Sequence, residues 1–229
     1  MRQLLFIVIN LSIFSACCYS QNNSEIRIAK WNFSLTTGRI IGGPCDPMRE
    51  NLLHYGIDNE WEMKTKNYLP FAFEANFAIN KYLRLGLNMN MLHQDMEWVD
   101  YDFVEYHFNT IVINPLLSFN YKNFVFIGAG PALNAISYFH PTNSSFTEGK
   151  DFIKPGLIVK SSLEYPKITR AYLRIEIQYN YGATIDPVYT IVGVGTSQYS
   201  TRSVRLDDFP VNYFYAGIGF GVRLYHKSR

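Results

Sequence analysis

The sequence contains little cysteine, no long uninterrupted apolar segment and no basic cluster. Two of its three cysteines, Cys17 and Cys18, lie among the first 20 residues, so Cys45 alone would remain if those residues were removed. A single cysteine cannot form an intramolecular disulfide. No apolar run beyond the N-terminal segment approaches the roughly 20 residues that a spanning helix needs, so no transmembrane helix is predicted. A net charge of +2 without a basic stripe argues against a nucleic-acid partner.

The first 20 residues have the pattern of a secretory signal peptide. Arg2 precedes an apolar run over residues 4–14, and small residues precede a cleavage site after Ser20. A rival interpretation is a lipoprotein signal, because residues 14–17 (Phe-Ser-Ala-Cys) resemble a lipoprotein box with Phe where Leu is usual. We therefore expect a signal peptide at 1–20, a short periplasmic lead at 21–30 and one outer-membrane barrel domain at 31–229.

The sequence is rich in aromatic residues and in alternating apolar and polar positions. It contains 17 Phe and 17 Tyr. Residues 71–79 and 83–91 alternate strictly, which is typical of β-strands with one apolar face. Only residues 80–82 separate them, so we predict a tight hairpin. Each strand is roughly 10 residues or longer, against a usual 5–6, and this length suits a tilted crossing of a bilayer.

Six further segments show the same alternation, which brings the number of predicted strands to eight. They are residues 31–41, 106–121, 124–137, 152–165, 168–181 and 212–225. The links alternate in length: long loops are predicted at 42–67, 93–105, 138–151 and 182–211, and tight turns at 80–82, 122–123 and 166–167. The first long loop has a weak helical pattern at 48–61, and residues 188–194 of the last are apolar enough to extend strands beyond the membrane. We predict an all-β fold, an eight-stranded antiparallel up-and-down transmembrane β-barrel.

Alternation does not by itself say which face points outward. A soluble lipocalin-like barrel turns its apolar face inward around a ligand, whereas a membrane barrel turns it toward lipid. The long strands and two aromatic clusters favour the membrane. The cluster predicted near the short turns comprises Trp31, Tyr82, Tyr121, Phe124, Tyr165 and Tyr225. The cluster predicted near the long loops comprises Trp98, Tyr106, Tyr138, Phe152, Tyr181 and Tyr213.

One strand, residues 124–137, is apolar in both registers. Gly128, Gly130 and Asn134 favour placing its even positions inside the barrel. Pro131 lies within the run and predicts a bulge or an unusual site, because proline cannot donate to a strand ladder.

The polar face would then line the lumen. An eight-stranded barrel is only wide enough for its own side chains, so charges there should pair into a network that plugs it. Gly217, Gly219 and Gly221 are expected to make room for long neighbours. The predicted charge network comprises Glu74, Arg84, Lys154, Lys160, Glu164, Arg174, Glu176 and Arg223. The predicted lumen amides are Asn76, Asn88, Asn114, Asn134 and Gln178.

These features carry a resemblance to known proteins. The export signal, the 80–82 hairpin (Asn-Lys-Tyr), the strand with Gly-Ala-Gly-Pro at 128–131 and the terminal strand at 213–225 resemble the small outer-membrane β-barrel families of Bacteroidota, which include PorT-like and OmpA/OmpX-like barrels. The likeness runs from about residue 31 onward and lies in architecture and strand texture. The terminal strand departs from the usual assembly signal, because residues 226–229 follow instead of a final aromatic residue. The resemblance implies an outer-membrane location, and no OmpA-like peptidoglycan-binding domain is expected.

Candidate chemistry is sparse. His54, His93, His107 and His140 fall in or beside the predicted outer loops, but no serine, histidine and carboxylate spacing identifies a triad. An acidic stretch at 95–105 has oxygen ligands suitable for Ca²⁺, but it lacks the spacing and glycine of an EF-hand, so a solvated loop is favoured. Cys45 is interpreted as an exposed thiol. We predict no catalytic residues, no cofactor and no metal site.

The expected role is that of an integral outer-membrane barrel with a structural, adhesive or assembly-partner function. The alternatives are a PorT-like accessory of a secretion machinery and a small lipid-modifying barrel enzyme. Its expected partners are outer-membrane lipid and other proteins of the envelope.

Overall fold

The computed structural model describes residues 29–54, 63–98, 103–121, 124–140, 148–167, 169–185, 188–194, 199–205 and 208–225. Predictions about residues 1–28, including the signal peptide, lie outside these ranges. The elements in chain order are β1 (Trp31–Gly42), α1 (Cys45–His54), β2 (Met63–Asn67), β3 (Phe71–Ala78), β4 (Leu83–Trp98), β5 (Phe103–Tyr121), β6 (Val125–His140), β7 (Glu148–Tyr165), β8 (Ala171–Ile185), β9 (Val188–Val194), β10 (Tyr199–Arg205) and β11 (Phe209–Leu224).

Eight of these strands close into an antiparallel barrel. The ring runs β1, β3, β4, β5, β6, β7, β8, β11 and back to β1. At the closure Trp31 lies opposite both Leu224 and Phe77. Every barrel strand therefore has two neighbours, which leaves no unpaired edge toward lipid. The predicted fold class is confirmed.

The outer wall of this barrel is apolar. Ile153, Phe220, Leu35 and Ile218 are among its most exposed side chains, and Phe220 has 73% of its surface accessible. The inward-facing positions of the same strands hold buried polar and charged side chains. This arrangement reverses that of a lipocalin-like barrel and matches a wall that contacts lipid.

Strand β6 faces the lumen with its even positions, as predicted. Asn134 is buried, while Ile127 and Leu133 are exposed. The sequence predicts a bulge or an unusual site at Pro131, and the structure has no bulge, because Leu117 opposite Ala129 and Ile113 opposite Leu133 keep the same register. The pairing is nevertheless interrupted between these two pairs, which makes Pro131 the unusual site. That register sets Pro131 against Pro115, and neither proline has an N–H to contribute at this point.

The hairpin between β3 and β4 is built around Asn80. Its side-chain Oδ1 accepts hydrogen bonds from the backbone N–H of Tyr82, at 2.7 Å, and of Leu83, at 2.9 Å. The Ile79 N–H donates to the Leu83 carbonyl at 3.0 Å. An asparagine that binds the backbone two residues on is a recognised way to nucleate a turn. The predicted hairpin at 80–82 is confirmed.

Two of the predicted long loops are largely strand. Strand β4 continues to Trp98 and β5 begins at Phe103, and Met96 lies opposite Tyr106 in the extended ladder. Strands β6 and β7 likewise continue until His140 lies opposite Glu148. Apolar and polar positions keep alternating beyond the expected strand ends. The inward residues of these strand extensions pack together.

The other two long links have structure of their own. Helix α1 begins at Cys45, three residues before the weak helical pattern, and β2 adds to the edge of the β4 extension. Strands β9 and β10 form a separate two-stranded sheet rather than an extension of barrel strands. Among the described residues, no helix is long and apolar enough to cross a bilayer.

Candidate functional site

The lumen contains most of the predicted charged side chains in one contiguous network. It joins Arg84, Lys160, Arg174 and Arg223 to Glu74, Glu164 and Glu176. Strand alternation places all seven on inward positions, and each is almost completely buried. Four cations face three anions, so the network is nearly neutral.

Arg174 is the centre of this network. Its Nη2 lies 2.6 Å from Glu74 Oε2, and its Nε lies 2.8 Å from Glu176 Oε2. Its Nη1 reaches Glu164 Oε1 at 3.4 Å. One guanidinium thus contacts three carboxylates from three strands, which its planar fork of five N–H donors allows.

Lys160 adds the second cation to the same carboxylates. Its Nζ lies 2.6 Å from Glu74 Oε2 and 2.9 Å from Glu176 Oε2. It also donates to Asn88 Oδ1 at 3.1 Å. All three ammonium hydrogens therefore have an acceptor, which a buried lysine requires.

The end of the lumen nearest the short turns is closed by two further arginines. Arg84 Nη1 lies 3.0 Å and Arg223 Nη2 lies 2.9 Å from the two oxygens of Glu164. Arg223 also donates to the Pro166 carbonyl at 2.6 Å, in the turn between β7 and β8. The ring of Tyr172 stacks against this guanidinium, with its centroid 4.1 Å from Cζ.

Above the charges lies a layer of amides and tyrosine hydroxyls. Asn88 Nδ2 donates to Asn114 Oδ1 at 2.8 Å and to Gln178 Oε1 at 3.2 Å. The Tyr213 hydroxyl accepts from Asn90 Nδ2 at 3.0 Å and from Gln178 Nε2 at 3.3 Å. These polar groups are thereby removed from water with partners in place.

Lys154 does not belong to the network, although its strand parity is that of the lumen. It lies about 20 Å along β7 from Lys160, at the rise of about 3.3 Å per residue. That distance is beyond the reach of Glu74, Glu164 and Glu176. Among the described residues, no ion pair involves Lys154, and its side chain is only half-buried. Its inclusion in the predicted network is corrected.

The outer half of the lumen contains two apolar clusters beside its buried polar side chains, and the sequence interpretation missed these clusters. One cluster lies inside the upper part of the barrel and comprises Ile40, Ala72, Leu92, Val112, Ala132, Ile158, Tyr213 and Tyr215. A second cluster fills the end of the barrel away from the short turns, which we call the outer rim. It comprises Cys45, Met48, Met96, Tyr106, Phe108, Ile136, Tyr138, Phe152, Ile185, Phe209 and Val211. Helix α1 contributes Cys45 and Met48 to the second cluster, so it closes the barrel like a cap.

This core overturns most of the second predicted aromatic belt. Tyr106, Tyr138, Phe152 and Tyr213 point inward and are buried, and only Tyr181 of the described members is exposed on the outer wall. The side chain of Trp98 lies outside the described residues. Near the short turns the first belt is confirmed for Trp31, Tyr82 and Tyr121, which are exposed, while Phe124, Tyr165 and Tyr225 are half-buried.

The glycines of β11 create room for large lumen side chains, as expected. A Cβ atom on Gly217 would collide with the Tyr215 ring, and one on Gly221 with the Tyr172 ring. A Cβ on Gly219 would collide with the backbone of β1 at Leu35.

At the outer rim the structure corrects the prediction for Cys45. The thiol is completely buried under α1 rather than exposed. Burial, together with the charge of Asp46, raises its pKa well above the usual value. Because the thiolate is the reactive form, Cys45 is chemically protected in the folded protein.

The acidic stretch at 95–105, predicted to be a solvated loop, lies partly on strands β4 and β5. Asp95 and Glu97 lie on β4, where they are buried on the outer wall beside β2. Lys66 donates to Glu97 Oε1 at 2.9 Å, and this hydrogen bond raises the pKa of Lys66. The Tyr68 hydroxyl donates to Asp95 Oδ2 at 2.7 Å, which raises the pKa of Tyr68. Residues 99–102 lie outside the described residues.

The four candidate histidines separate into two groups. His93 and His107 meet on the outer wall, with ring centroids 6.0 Å apart, and both contact Asp95. The side chains of His54 and His140 lie outside the described residues.

A further open pocket of about 660 Å³ lies on the outer wall between β1, β8 and β11, where its lining is almost entirely apolar.

No protein-family model matches this sequence, and no curated protein sequence matches it. The fold is similar to that of the outer membrane protein OprG from Pseudomonas aeruginosa. The two chains share 12% identity at a TM-score of 0.50, over 86% of this chain and 97% of that one. It is also similar to a major outer membrane protein from Thermus thermophilus, with 14% identity and a TM-score of 0.53, over 86% of this chain and 100% of that one.

At these identities the likeness concerns the fold. A closed barrel of this type, with a continuous apolar outer wall and buried polar side chains in its lumen, is suited to a bilayer and not to water. The chain is an integral outer-membrane β-barrel protein.

Proposed function

We propose that this protein is a non-conducting structural barrel of the outer membrane, which presents its outer rim for adhesion or for assembly with other envelope proteins and carries out no catalysis. The observation that carries this proposal is the filled lumen. From the short turns outward it holds the ion-pair network, the amide layer and the apolar core capped by α1.

The side chains that fill the described part of the lumen contact one another through ion pairs, amide hydrogen bonds and apolar packing. An ion that entered from the turn side would meet Arg174 and its three carboxylates, which are already paired with one another. Beyond them it would meet the apolar cluster around Met48 and Met96. Both layers oppose ion passage, the first because breaking it unpairs buried charges and the second because it is dry.

A non-catalytic role is supported by the contacts of the rim histidines. Within the described residues, the hydrogen bonds of His93, Asp95 and His107 involve Asn109 and Tyr68 rather than a serine hydroxyl. The arrangement therefore lacks the nucleophile of a Ser-His-Asp triad.

The test is electrical. The purified protein, inserted into planar bilayers, should show no steady single-channel current, while a porin refolded in the same detergent should conduct under identical conditions. Folding is checked by the shift in gel migration on boiling, so that a silent bilayer is not mistaken for a misfolded sample. Stable conductance by the folded, heat-modifiable protein would refute the proposal.

The role of the rim is tested separately by crosslinking in cells and identification of neighbouring proteins. Structural or adhesive envelope proteins are expected among them. Repeated recovery of components of one secretion machinery would instead assign the accessory role of a PorT-like barrel.

A further inference from the structure

Four polar side chains form a compact square on the outer wall at the rim. His93 and Asp95 alternate along β4 and share a face, and on β5 Asn109 and His107 lie directly opposite them in the register. The next residues toward the membrane on the same face are Met91 and Ile111, which belong to the apolar wall. The square therefore lies immediately above the lipid-facing band.

Asp95 is the centre of the square. Its Oδ1 lies 3.1 Å from His93 Nε2 and 2.7 Å from His107 Nδ1. Its other oxygen accepts from the Tyr68 hydroxyl at 2.7 Å. The carboxylate is almost completely buried, whereas 36% and 35% of the two histidine side chains are exposed. One carboxylate oxygen and two imidazole nitrogens thus converge at a point that solvent can reach.

Which nitrogen of His93 is free depends on the hydrogen bond that its ring donates to Asn109. Its Oδ1, an acceptor, lies 2.7 Å from His93 Nδ1, so Nδ1 carries the proton. In the neutral ring Nε2 then presents a lone pair toward Asp95 Oδ1. Two lone pairs at hydrogen-bond distance repel unless a positive charge lies between them.

The neighbouring lysines do not supply that charge. Lys66 and Lys64 are directed to Glu97, at 2.9 and 3.7 Å. Among the described residues, no lysine or arginine forms an ion pair with Asp95. Tyr68 covers the carboxylate, and its ring lies 4.6 Å from that of His93, so it helps to hold the cluster in place.

We propose that His93, Asp95 and His107 bind a Zn²⁺ ion at the outer rim. The three candidate ligand atoms lie within 4.8 Å of one another. Tetrahedral zinc with bonds of about 2.0–2.1 Å needs ligand atoms about 3.3 Å apart. The pair Asp95–His93 already meets this separation, and the pair Asp95–His107 has to widen by about half an ångström once the metal replaces the shared proton.

The donor set fits this ion. Two imidazoles and one carboxylate, with a fourth position left to water, are a recognised zinc arrangement. Asn109 orients His93 through the nitrogen that does not bind the metal, and Tyr68 holds the second carboxylate oxygen, as partners of metal ligands commonly do. Binding requires the proton that His107 Nδ1 donates to Asp95 to move to Nε2, so that Nδ1 offers its lone pair to the metal while the ring stays neutral.

The experiment is a calorimetric titration of the purified full chain with ZnCl₂ after chelator treatment, in detergent and without a histidine tag. One Zn²⁺ per chain is expected to bind. Loss of a residue that only orients a ligand typically weakens metal affinity about 10–100-fold. His93→Gln and His107→Gln each remove a ligand, so each should weaken the Zn²⁺ affinity by more than this. Asn109→Ala should weaken it within that range of about 10–100-fold. The absorption spectrum of bound Co²⁺ reports the geometry and should lose its tetrahedral bands in His107→Gln.

The matched control is Glu50→Gln, which removes an exposed carboxylate of α1 from the same rim without touching the square or its neighbours, and it should leave the affinity unchanged. Gel migration before and after boiling confirms that each variant is folded. Absence of binding by the folded protein would overturn the proposal. Equal binding by the parent and by His107→Gln, or equal weakening by Glu50→Gln, would also overturn it, because the metal would then be held by diffuse surface charge.

Discussion

At the scale of the residue, Arg174 determines how the lumen charges are held. It is the only residue in the described network that contacts all three carboxylates, Glu74, Glu164 and Glu176. Lys160 contacts two of them, and Arg84 and Arg223 contact one. Loss of Arg174 would therefore leave Glu74 and Glu176 with Lys160 as their one shared cation in the network.

We expect Arg174→Ala to lower the free energy of unfolding by about 3–5 kcal/mol, the usual cost of removing one partner of a buried ion pair. The measurement is equilibrium urea unfolding of the barrel in lipid vesicles, followed by tryptophan fluorescence. Lys154→Ala is the matched control, since it removes a cation from the same face but outside the network, and its effect should stay within about 1 kcal/mol. Equal effects of the two substitutions would mean that the lumen is water-filled and that its charges are screened.

At the scale of the element, α1 is a cap whose energy comes from packing. Cys45 and Met48 are both fully buried in the rim cluster with Met96 and Phe209. The ion-pair network and the rim cluster that includes α1 lie in different halves of the lumen and share no side chain. Their contributions to stability should therefore be close to additive.

We expect Met48→Ala to lower the free energy of unfolding by about 2–5 kcal/mol, through lost burial and the cavity left behind. Urea unfolding measures the change, and Glu50→Ala on the exposed face of the same helix is the control. Planar-bilayer recordings of Met48→Ala should remain silent, because the ion-pair network is untouched. Current through this variant alone would show that the cap, and not the charges, blocks the lumen.

At the scale of the whole molecule, the barrel has two chemically different ends. The end with α1 and the extended hairpins carries the rim, and the other end has the short turns after β3, β5 and β7. In outer-membrane barrels the short turns face the periplasm and the longer links face the outside.

Single cysteines at Glu50 and Asp208, two exposed positions at the rim, should react with a membrane-impermeant thiol reagent on intact cells. Cysteines at Lys81 and Arg170, two exposed positions in short turns, should react only after the outer membrane is permeabilised. The experiment uses a Cys45→Ser background, and labelling is read by mass shift. The reverse pattern would mean that the barrel is inserted in the opposite orientation.

Much of this architecture follows from alternation along the chain. Period-two patterns identified the eight barrel strands, their order and the face of each that lines the lumen, including Glu74, Arg174 and Glu176. The same parity already placed Tyr106, Tyr138 and Phe152 inside. They were assigned to an interfacial belt because they lie near strand ends, and the strands in fact continue past them.

Other features depend on how far each strand is shifted against its neighbours. Lys154 and Lys160 share a face, but only the second lies level with the carboxylates of β3 and β8. Asp95 and His107 lie on different strands, and it is the β4–β5 register that sets them opposite each other. Strand stagger is a property of the closed barrel, since every strand must match two neighbours at once.

Side-chain alternation within single strands is enough to predict the fold class, the polar lumen and the apolar wall. Tertiary structure decided which charges meet at Arg174, where α1 closes the rim and how His93, Asp95 and His107 converge. These depend on distances between strands that are remote in the chain. Barrel closure sets those distances, and no local pattern encodes them.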